Sequence, residues 1–315
     1  MAVISIKNGK SNTVDSNSTG EFIFFDRSKE IKKSDKFLFD GEYIIVPGEG
    51  NFIPKYFNGK FDLHQRAYAI KSNNTNKLLN KYLYYFLIKY SNNFKKYSVG
   101  STVPSLRLYS FNWVINNKFV SLKIQNQIID IIEPIDLIKN NLLIIKKKII
   151  SFINKLQIKK TNERNIFNSI TTGKLNANAA INDGRFNFYT CGEKILKTNN
   201  SSFCGRNIIL SGNGELFTWI YDGIFDAYQR VYVLKERRDF YTTFYSLNKE
   251  LNNLRKRSNG AVIKFIKKED IFSIEKYSNS HEYILKQLYT FLLKIDVVEE
   301  KINKLQKKMI LLLIK

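Results

Sequence analysis

The feature that most limits how this chain can fold is a long internal duplication. Shifted by 164 positions, residues 8–70 overlay residues 172–234 without a gap, and 20 of the 63 pairs are identical. Gly9-Lys10 falls on Gly173-Lys174, and Gly48-Glu49-Gly50 falls on Gly212-Asn213-Gly214. Phe61-Asp62-Leu63-His64-Gln65-Arg66-Ala67-Tyr68 falls on Phe225-Asp226-Ala227-Tyr228-Gln229-Arg230-Val231-Tyr232. At an offset of 160, Gly100 then meets Gly260, and residues 124–152 overlay residues 284–312. Self-similarity of this length means two copies of one module, not a stack of short repeats. Whatever the module binds is then met at two equivalent places.

A chain of 315 residues can hold two ordinary domains, each with its own core. Lys and Arg number 51 against 28 Asp and Glu, a net charge of +23. Such an excess repels itself in the compact state unless an anionic partner or solvent absorbs it. Nucleic acid leads as that partner and an anionic membrane surface follows. Drift toward Lys, Asn and Ile codons in an AT-rich genome is the bland alternative. Cys191 and Cys204 are replaced by Arg27 and Asp40 in the first copy, so the module needs no disulfide or metal there. That usage suits a reducing compartment. Residues 1–7 carry no signal-peptide pattern. Leu142–Ile145 is cut by Lys146-Lys147-Lys148, and Met309–Ile314 is too short to span a bilayer. A soluble, cytoplasmic protein without membrane partners is expected.

Each copy follows the same order. An Asn/Ser/Gly-rich opening (8–20; 172–184) precedes short apolar or alternating runs: 21–25, 43–46 and 67–70, then 186–189, 207–210 and 231–234. These predict strands bounded by glycine turns. Three-and-four spacing predicts helices over 77–90 and 240–254. A glycine turn and strand follow, over 100–108 and 260–266. The fold class is α+β with a small mixed sheet per module. Long helices then close each module. Ile124, Ile128, Ile131, Ile135, Ile138, Leu142, Ile145, Ile149, Phe152 and Leu156 recur at spacings of four and three. So do Ile284, Leu288, Phe291, Ile295, Val298, Ile302, Leu305, Met309 and Leu312. Strict heptads predict a two-helix coiled coil whose stripes bury each other; packing of each helix on its own domain is the alternative. Some 30 residues would make a rod roughly 45 Å long. Pro134, opposite Lys294, predicts a kink or break. Residues 159–165 are the expected linker. The organisation is then 1–120, first module; 121–160, first long helix; 161–277, second module; 278–315, second long helix.

Catalytic signatures are scarce. His64 is Tyr228 in the second copy, and His281 lies outside the duplicated motifs. Gly48-Glu49-Gly50 lacks the third glycine of a dinucleotide fingerprint, and no phosphate-loop or metal-ligand spacing is present. No catalytic residue, cofactor or metal is expected on this chain. Asp62 and Asp226 could be catalytic, could buttress Arg66 and Arg230, or could cap a turn. The repeated polar groups suit binding. Lys10 and Asn12, with Lys174, Asn176 and Asn178, sit on Gly/Asn loops; lysine pairs with phosphate and asparagine with adenine. Gln65-Arg66 and Gln229-Arg230 offer a base-reading amide beside a bidentate guanidinium, or else an internal Arg-Asp pair. The stretches 54–60 and 218–223 differ between copies while their flanks agree. They place Lys55, Tyr56 and Lys60, then Trp219 and Tyr221, among the candidate contacts, with His64 and Tyr228 beside the Gln-Arg pairs. Basic runs at 235–238 and 255–257 fit a solvated face or sequence-blind phosphate contacts.

These residues bring a family into view. Residues 172–179, 223–233 and 58–68, with the Gly100-Ser101-Thr102-Val103-Pro104 turn, resemble the DNA-specificity subunit of type I restriction-modification systems. The order of reader, helix, reader, helix covers nearly the whole chain. The stretch before Gly9 is short for this family, so an opening element of the first reader is in question. The resemblance implies two target-recognition domains joined by a long antiparallel two-helix coiled coil. Each domain would read one half of a bipartite duplex site. The helices would set the half-site gap and dock methyltransferase subunits, expected to be two, which carry S-adenosylmethionine. A restriction subunit could join them. The alternatives are a tandem RNA- or single-strand-binding protein, a specificity subunit of a type II-like methyltransferase-nuclease, a nuclease or methyltransferase with its own active site, and a coiled-coil adaptor.

Overall fold

A computed structural model describes residues 3–28, 31–260 and 264–314. It divides into two compact units, Met1–Ile144 with Val297–Lys315, and Ile145–Asp296. The first unit holds β1 (Ile4–Asn8), β2 (Phe22–Phe25), β3 (Lys32–Ser34), β4 (Glu42–Pro47), β5 (Lys55–Asn58), β6 (Phe61–Leu63) and β7 (Ala67–Ser72). They form an antiparallel sheet ordered β1-β7-β4-β5 and a small mixed sheet ordered β3-β2-β6. The second unit repeats this with β8 (Phe167–Thr172), β9 (Phe186–Tyr189), β10 (Leu196–Thr198), β11 (Arg206–Ser211), β12 (Thr218–Asp222), β13 (Phe225–Ala227) and β14 (Val231–Glu236). Its sheets are ordered β8-β14-β11-β12 and β10-β9-β13. Register is kept too: Ile44 faces Ile70 as Ile208 faces Leu234.

The apolar run of β4 is buried on both faces. Ile44 and Val46 join a core with helix α1 (Asn80–Lys89), while Tyr43 and Ile45 join a second core under the small sheet. The two-residue period of a strand forces this division. The long helix α2 (Leu122–Lys155) precedes the second unit's strands; there Ile208 and Leu210 pack with helix α3 (Phe240–Arg257), and Ile209 packs with Phe225 and Val233. Aromatic rings fill the smaller cores, with Phe39 stacked on Phe61 at 5.1 Å and Phe203 on Phe225 at 5.3 Å.

Several expectations change here. An opening strand is present in the first reader: β1 holds the place that β8 holds in the second. The stretches expected as variable loops are largely the edge strands β5 and β12, paired to β4 and β11. The strand expected over 100–108 reduces to isolated bridges, Val99 and Glu49 to Ser105. Of its counterpart over 260–266, residues 261–263 lie outside the described residues, and Phe265 makes the same two bridges, to Asn259 and Asn213. Residues 159–165 are no free tether. Ser278 N–H donates to the Lys159 carbonyl and Thr161 N–H to Lys276, while Lys160 and Arg164 both reach Glu275. α2 runs unbroken through Pro134, which sits on an exposed face and removes one backbone bond without ending the helix.

The heptad register also changes. The inward face of α2 runs Ile128, Ile132, Ile135, Lys139, Leu142, Lys146, Ile149, Ile153 and, just past the helix, Leu156. That of α4 (Glu282–Leu313) runs Leu285, Leu288, Leu292, Ile295, Glu299, Ile302, Gln306, Met309 and Leu313. Each is a strict three-four series, and each shares only one of its two rows with the apolar stripe. The other stripe row is exposed: Ile124, Ile131, Ile138, Ile145 and Phe152 on α2, and Ile284, Phe291, Val298, Leu305 and Leu312 on α4. The expectation that both rows bury each other is therefore half right. Within the first unit Ile128 and Ile132 share a core with Ile310 and Ile314, and Lys139 Nζ donates to Gln306 Oε1 at 2.5 Å. Gln306 in turn donates to Asp136, which accepts from the Tyr85 hydroxyl at 2.7 Å. Within the second unit Ile153 packs with Leu285 and Tyr289, and Lys146 pairs with Asp296. Polar groups at seam positions help to fix register. Among the described residues, no helix is long and apolar enough to cross a membrane.

Candidate nucleic-acid interface

The Gln-Arg pairs stand on the turn between the last strand of the small sheet and the strand that follows it. Three backbone bonds pin this turn in each reader. His64 N–H donates to the Phe25 carbonyl at 2.9 Å, Gln65 N–H to Ser11 at 2.8 Å, and Ala67 N–H closes on His64 at 2.9 Å. In the second reader Tyr228 N–H donates to Tyr189, Gln229 N–H to Leu175 and Val231 N–H to Tyr228, at 2.9, 2.9 and 2.8 Å. Gly9 and Gly173 explain the repeated Gly-Lys. A Cβ there would come within 2.0 Å of the Leu63 carbonyl oxygen and 1.8 Å of that of Ala227. The opening loop thus lies flat on the turn. A Cβ at Gly48 or Gly212 would likewise come within 2.0 and 2.6 Å of the Arg66 and Arg230 carbonyl oxygens.

Asp62 and Asp226 lie beneath the turn and are buried. Asp62 accepts from Ser11 Oγ at 2.7 and 2.9 Å, from Ser34 Oγ at 3.0 Å and from Leu63 N–H at 2.9 Å. Asp226 accepts from Ser202 Oγ at 2.8 Å and Ala227 N–H at 2.7 Å. Neither touches its neighbouring arginine, so the expected Arg-Asp buttress does not exist. The carboxylates tie turn to loop instead, the service to the fold that a turn-capping residue gives.

Gln65, Arg66, Gln229 and Arg230 are exposed, as are Lys10, Asn12, Lys174, Asn176 and Asn178. Gln65 Nε2 donates to Asn12 Oδ1 at 2.5 Å, joining the opening loop to the turn as one polar face. Each Gln-Arg pair edges a cleft. The first, about 250 Å³, is lined by Thr13, Asp26, Arg27, Glu49, His64, Gln65 and Arg66. The second, about 350 Å³, is lined by Thr172, Gly212, Asn213, Gln229, Arg230, Tyr232, Phe265 and Ile266. The first is charge-paired: Arg66 meets Glu49 at 2.5 Å, Arg27 meets it at 3.4 Å, and Asp26 pairs with Lys32 at 2.7 Å. The second holds a single charged side chain, Arg230.

His64 accepts from the Arg66 N–H at its Nδ1, at 3.1 Å, which leaves Nε2–H as the ring donor. Burial holds its pKa below the usual 6.5, against the pull of Asp26 and Glu49. The unfolded chain therefore takes up the proton first, so stability is full above pH 6.5 and falls as pH drops through the folded value. Replacing His64 by Tyr, the residue of the second copy, should flatten the melting temperature between about pH 7 and 5. An unchanged pH profile would deny the imidazole this environment.

Other candidates fall elsewhere. Tyr56 packs against Tyr84 at 5.7 Å under the Lys81 ammonium, on the α1 side. Trp219 and Tyr221 lean on Tyr189 at 5.5 and 5.9 Å, and Tyr228 is half-buried in the same core. These four aromatics are packing residues in this structure. Lys55 is half-buried, donating to the Ser28 carbonyl at 3.0 Å, and burial lowers its pKa. Lys60 is exposed over the Phe37 ring at 4.7 Å. The cleft residues that sequence reasoning missed are Asp26, Arg27, Glu49, Thr172 and Asn213. For Glu49 and Asn213 the signal was the middle position of the Gly-x-Gly pair, which reads Glu in one copy and Asn in the other.

Residues 3–155 match the family model described as the type I restriction modification DNA specificity domain. The chain is 31% identical over 142 residues to the type I restriction enzyme EcoDI specificity subunit of Escherichia coli, an alignment covering 43% of this chain and 32% of that protein. The matched part is thus about a third of that relative's length. The fold is similar to the crystal structure of a type I restriction-modification system S subunit from M. genitalium, with a TM-score of 0.61 at 14% identity over 99% of this chain and 94% of that one. Residues 3–155 are thus similar to the type I restriction-modification specificity-subunit family over just under half of the chain. The second reader shares the strand order and register of the first.

Proposed function

We propose that the chain is a non-catalytic specificity subunit that binds duplex DNA and reads a bipartite site, one half through each reader. The observation that carries this reading is the repeated exposed Gln-Arg pair, held at a cleft mouth by the same three backbone bonds in both copies. Glutamine and arginine are base-edge readers of the major groove, each good pair contributing about 1–3 kcal/mol of discrimination. Lys10, Lys60 and Lys174 supply exposed charge for phosphates, and the excess of +23 would make affinity fall steeply with salt. The long helices would act as an antiparallel coiled-coil spacer between the readers, here taken as 1–120 and 161–277. Their exposed apolar rows would dock methyltransferase subunits, expected to be two, and those subunits would hold S-adenosylmethionine. A restriction subunit is a further candidate partner, as is a type II-like methyltransferase-nuclease. The tandem single-strand reading is disfavoured, because Tyr56, Trp219 and Tyr221 pack into the readers and are poor stacking platforms.

The test is to co-express the chain with its methyltransferase and map methylated sites. Replacing Gln229 and Arg230 by Ala should lower discrimination in one half-site by tenfold or more, on the order of 1–3 kcal/mol per lost contact, and leave the other half-site intact. Preference retained in both halves would remove the reading role of the pair. Tighter binding to RNA or single strands than to duplex would overturn the assignment.

A further inference from the structure

The two clefts are built on one scaffold yet differ in their charged groups. In the first, the Glu49 carboxylate accepts from Arg66 at Oε1 and from Arg27 at Oε2, and its side chain is only 12% exposed. The guanidiniums it holds are 65% and 71% exposed. In the second, Asn213 stands where Glu49 would, Cys191 stands for Arg27 and Thr190 for Asp26. Arg230 has no acidic partner among the described residues.

We infer that Glu49 is a specificity-determining positioning residue: it withdraws Arg66 and Arg27 from phosphates and holds them as a fixed fork at the cleft of the first reader. This rests on the DNA-reading assignment. A guanidinium bound to a carboxylate is partly neutralised, and here each arginine is held by one charge-assisted hydrogen bond to its own Glu49 oxygen. Its remaining N–H groups point outward in one arrangement, which suits a guanine edge and suits a mobile phosphate less well. The Glu49 backbone is anchored by its bridge to Ser105, and its side chain is largely enclosed. Arg230 lacks such a holder and is free to swing between base and phosphate. The first reader then draws its nonspecific affinity from lysines, and the second draws part of its own from Arg230. The two half-sites are read with unequal stringency, the first being the stricter.

The experiment measures binding of the full chain to specific and random duplexes across a salt series, with Glu49→Gln, Glu49→Asp and Asn213→Glu. Glu49→Gln should tighten random-duplex binding several-fold and steepen the log–log salt slope by about 1–2, as two arginines gain phosphates. Discrimination in the first half-site alone should fall about tenfold. Glu49→Asp should restore most of both. Asn213→Glu should weaken random-duplex binding and flatten the slope by about 1. A wild-type chain with no duplex preference would refute the DNA-reading assignment and this inference with it. A specific wild type whose slope and first half-site preference ignore Glu49→Gln would refute the role of Glu49 alone.

Discussion

Ile132→Ala should destabilise the protein by about 2–5 kcal/mol, and Ile131→Ala by less than about 1 kcal/mol. The two residues are adjacent and alike in chemistry, but only Ile131 belongs to the heptad stripe of the sequence. Ile132 is fully buried beside Ile128 and Ile310, whereas Ile131 is 44% exposed. Truncation of the first leaves a cavity in a close-packed core, and cavity and transfer costs add. Truncation of the second removes area that was never wholly out of water. Urea denaturation of both variants measures the difference. Equal losses, or a larger one at Ile131, would show that the seam follows the stripe read from hydrophobicity and not the rotated one described above. The pair also separates folding from the proposed docking role, since the Ile131 row is exposed.

Asp62→Ala should cost about 2–4 kcal/mol and loosen the reading turn of the first unit. Its carboxylate is 1% exposed and takes four hydrogen bonds, two from Ser11 Oγ and one each from Ser34 Oγ and Leu63 N–H. Removing the acceptor strands those donors in a dry site, each at a cost of about 1–3 kcal/mol before relaxation and water entry reduce it. Asp226→Ala should show the same sign with a smaller effect, because only Ser202 and Ala227 lose a partner. Thermal melts and hydrogen exchange at residues 9–12 and 63–66 read both effects. Loss of activity without loss of stability would instead return the aspartates to a chemical role.

Much of the fold was legible in the sequence, for local reasons. Strands such as 43–46 and 231–234 announce themselves by apolar, β-branched runs, and the structure extends the first by one residue at each end and the second by two at its C-terminal end. The duplication doubled every such signal, so a weak run in one copy was supported by its counterpart. The edge strands β5 and β12 were missed because their residues differ between copies, and difference looked like a loop. Sheet pairing needs only backbone groups, so an edge strand can vary its side chains and keep its hydrogen bonds.

The candidate site was legible only in part. Gln65-Arg66 and Gln229-Arg230 stood out because they repeat. Glu49 did not, because it is Asn in the other copy and lies 17 positions from Arg66. Of the roles open to Asp62, the pairing with Arg66 is absent and the turn contacts are present, because nearness in sequence is not nearness in space.

The sequence by itself determined that two homologous α+β modules alternate with two long helices, since periodicity and duplication are properties of the chain. Only the tertiary structure decided which face of each helix is buried, which acid holds Arg66, and that Tyr56, Trp219 and Tyr221 pack inward. The physical reason is that an apolar stripe wider than one seam fits two registers. The choice falls to the fit of Lys139 to Gln306 and of Lys146 to Asp296, groups 167 and 150 residues apart in the chain.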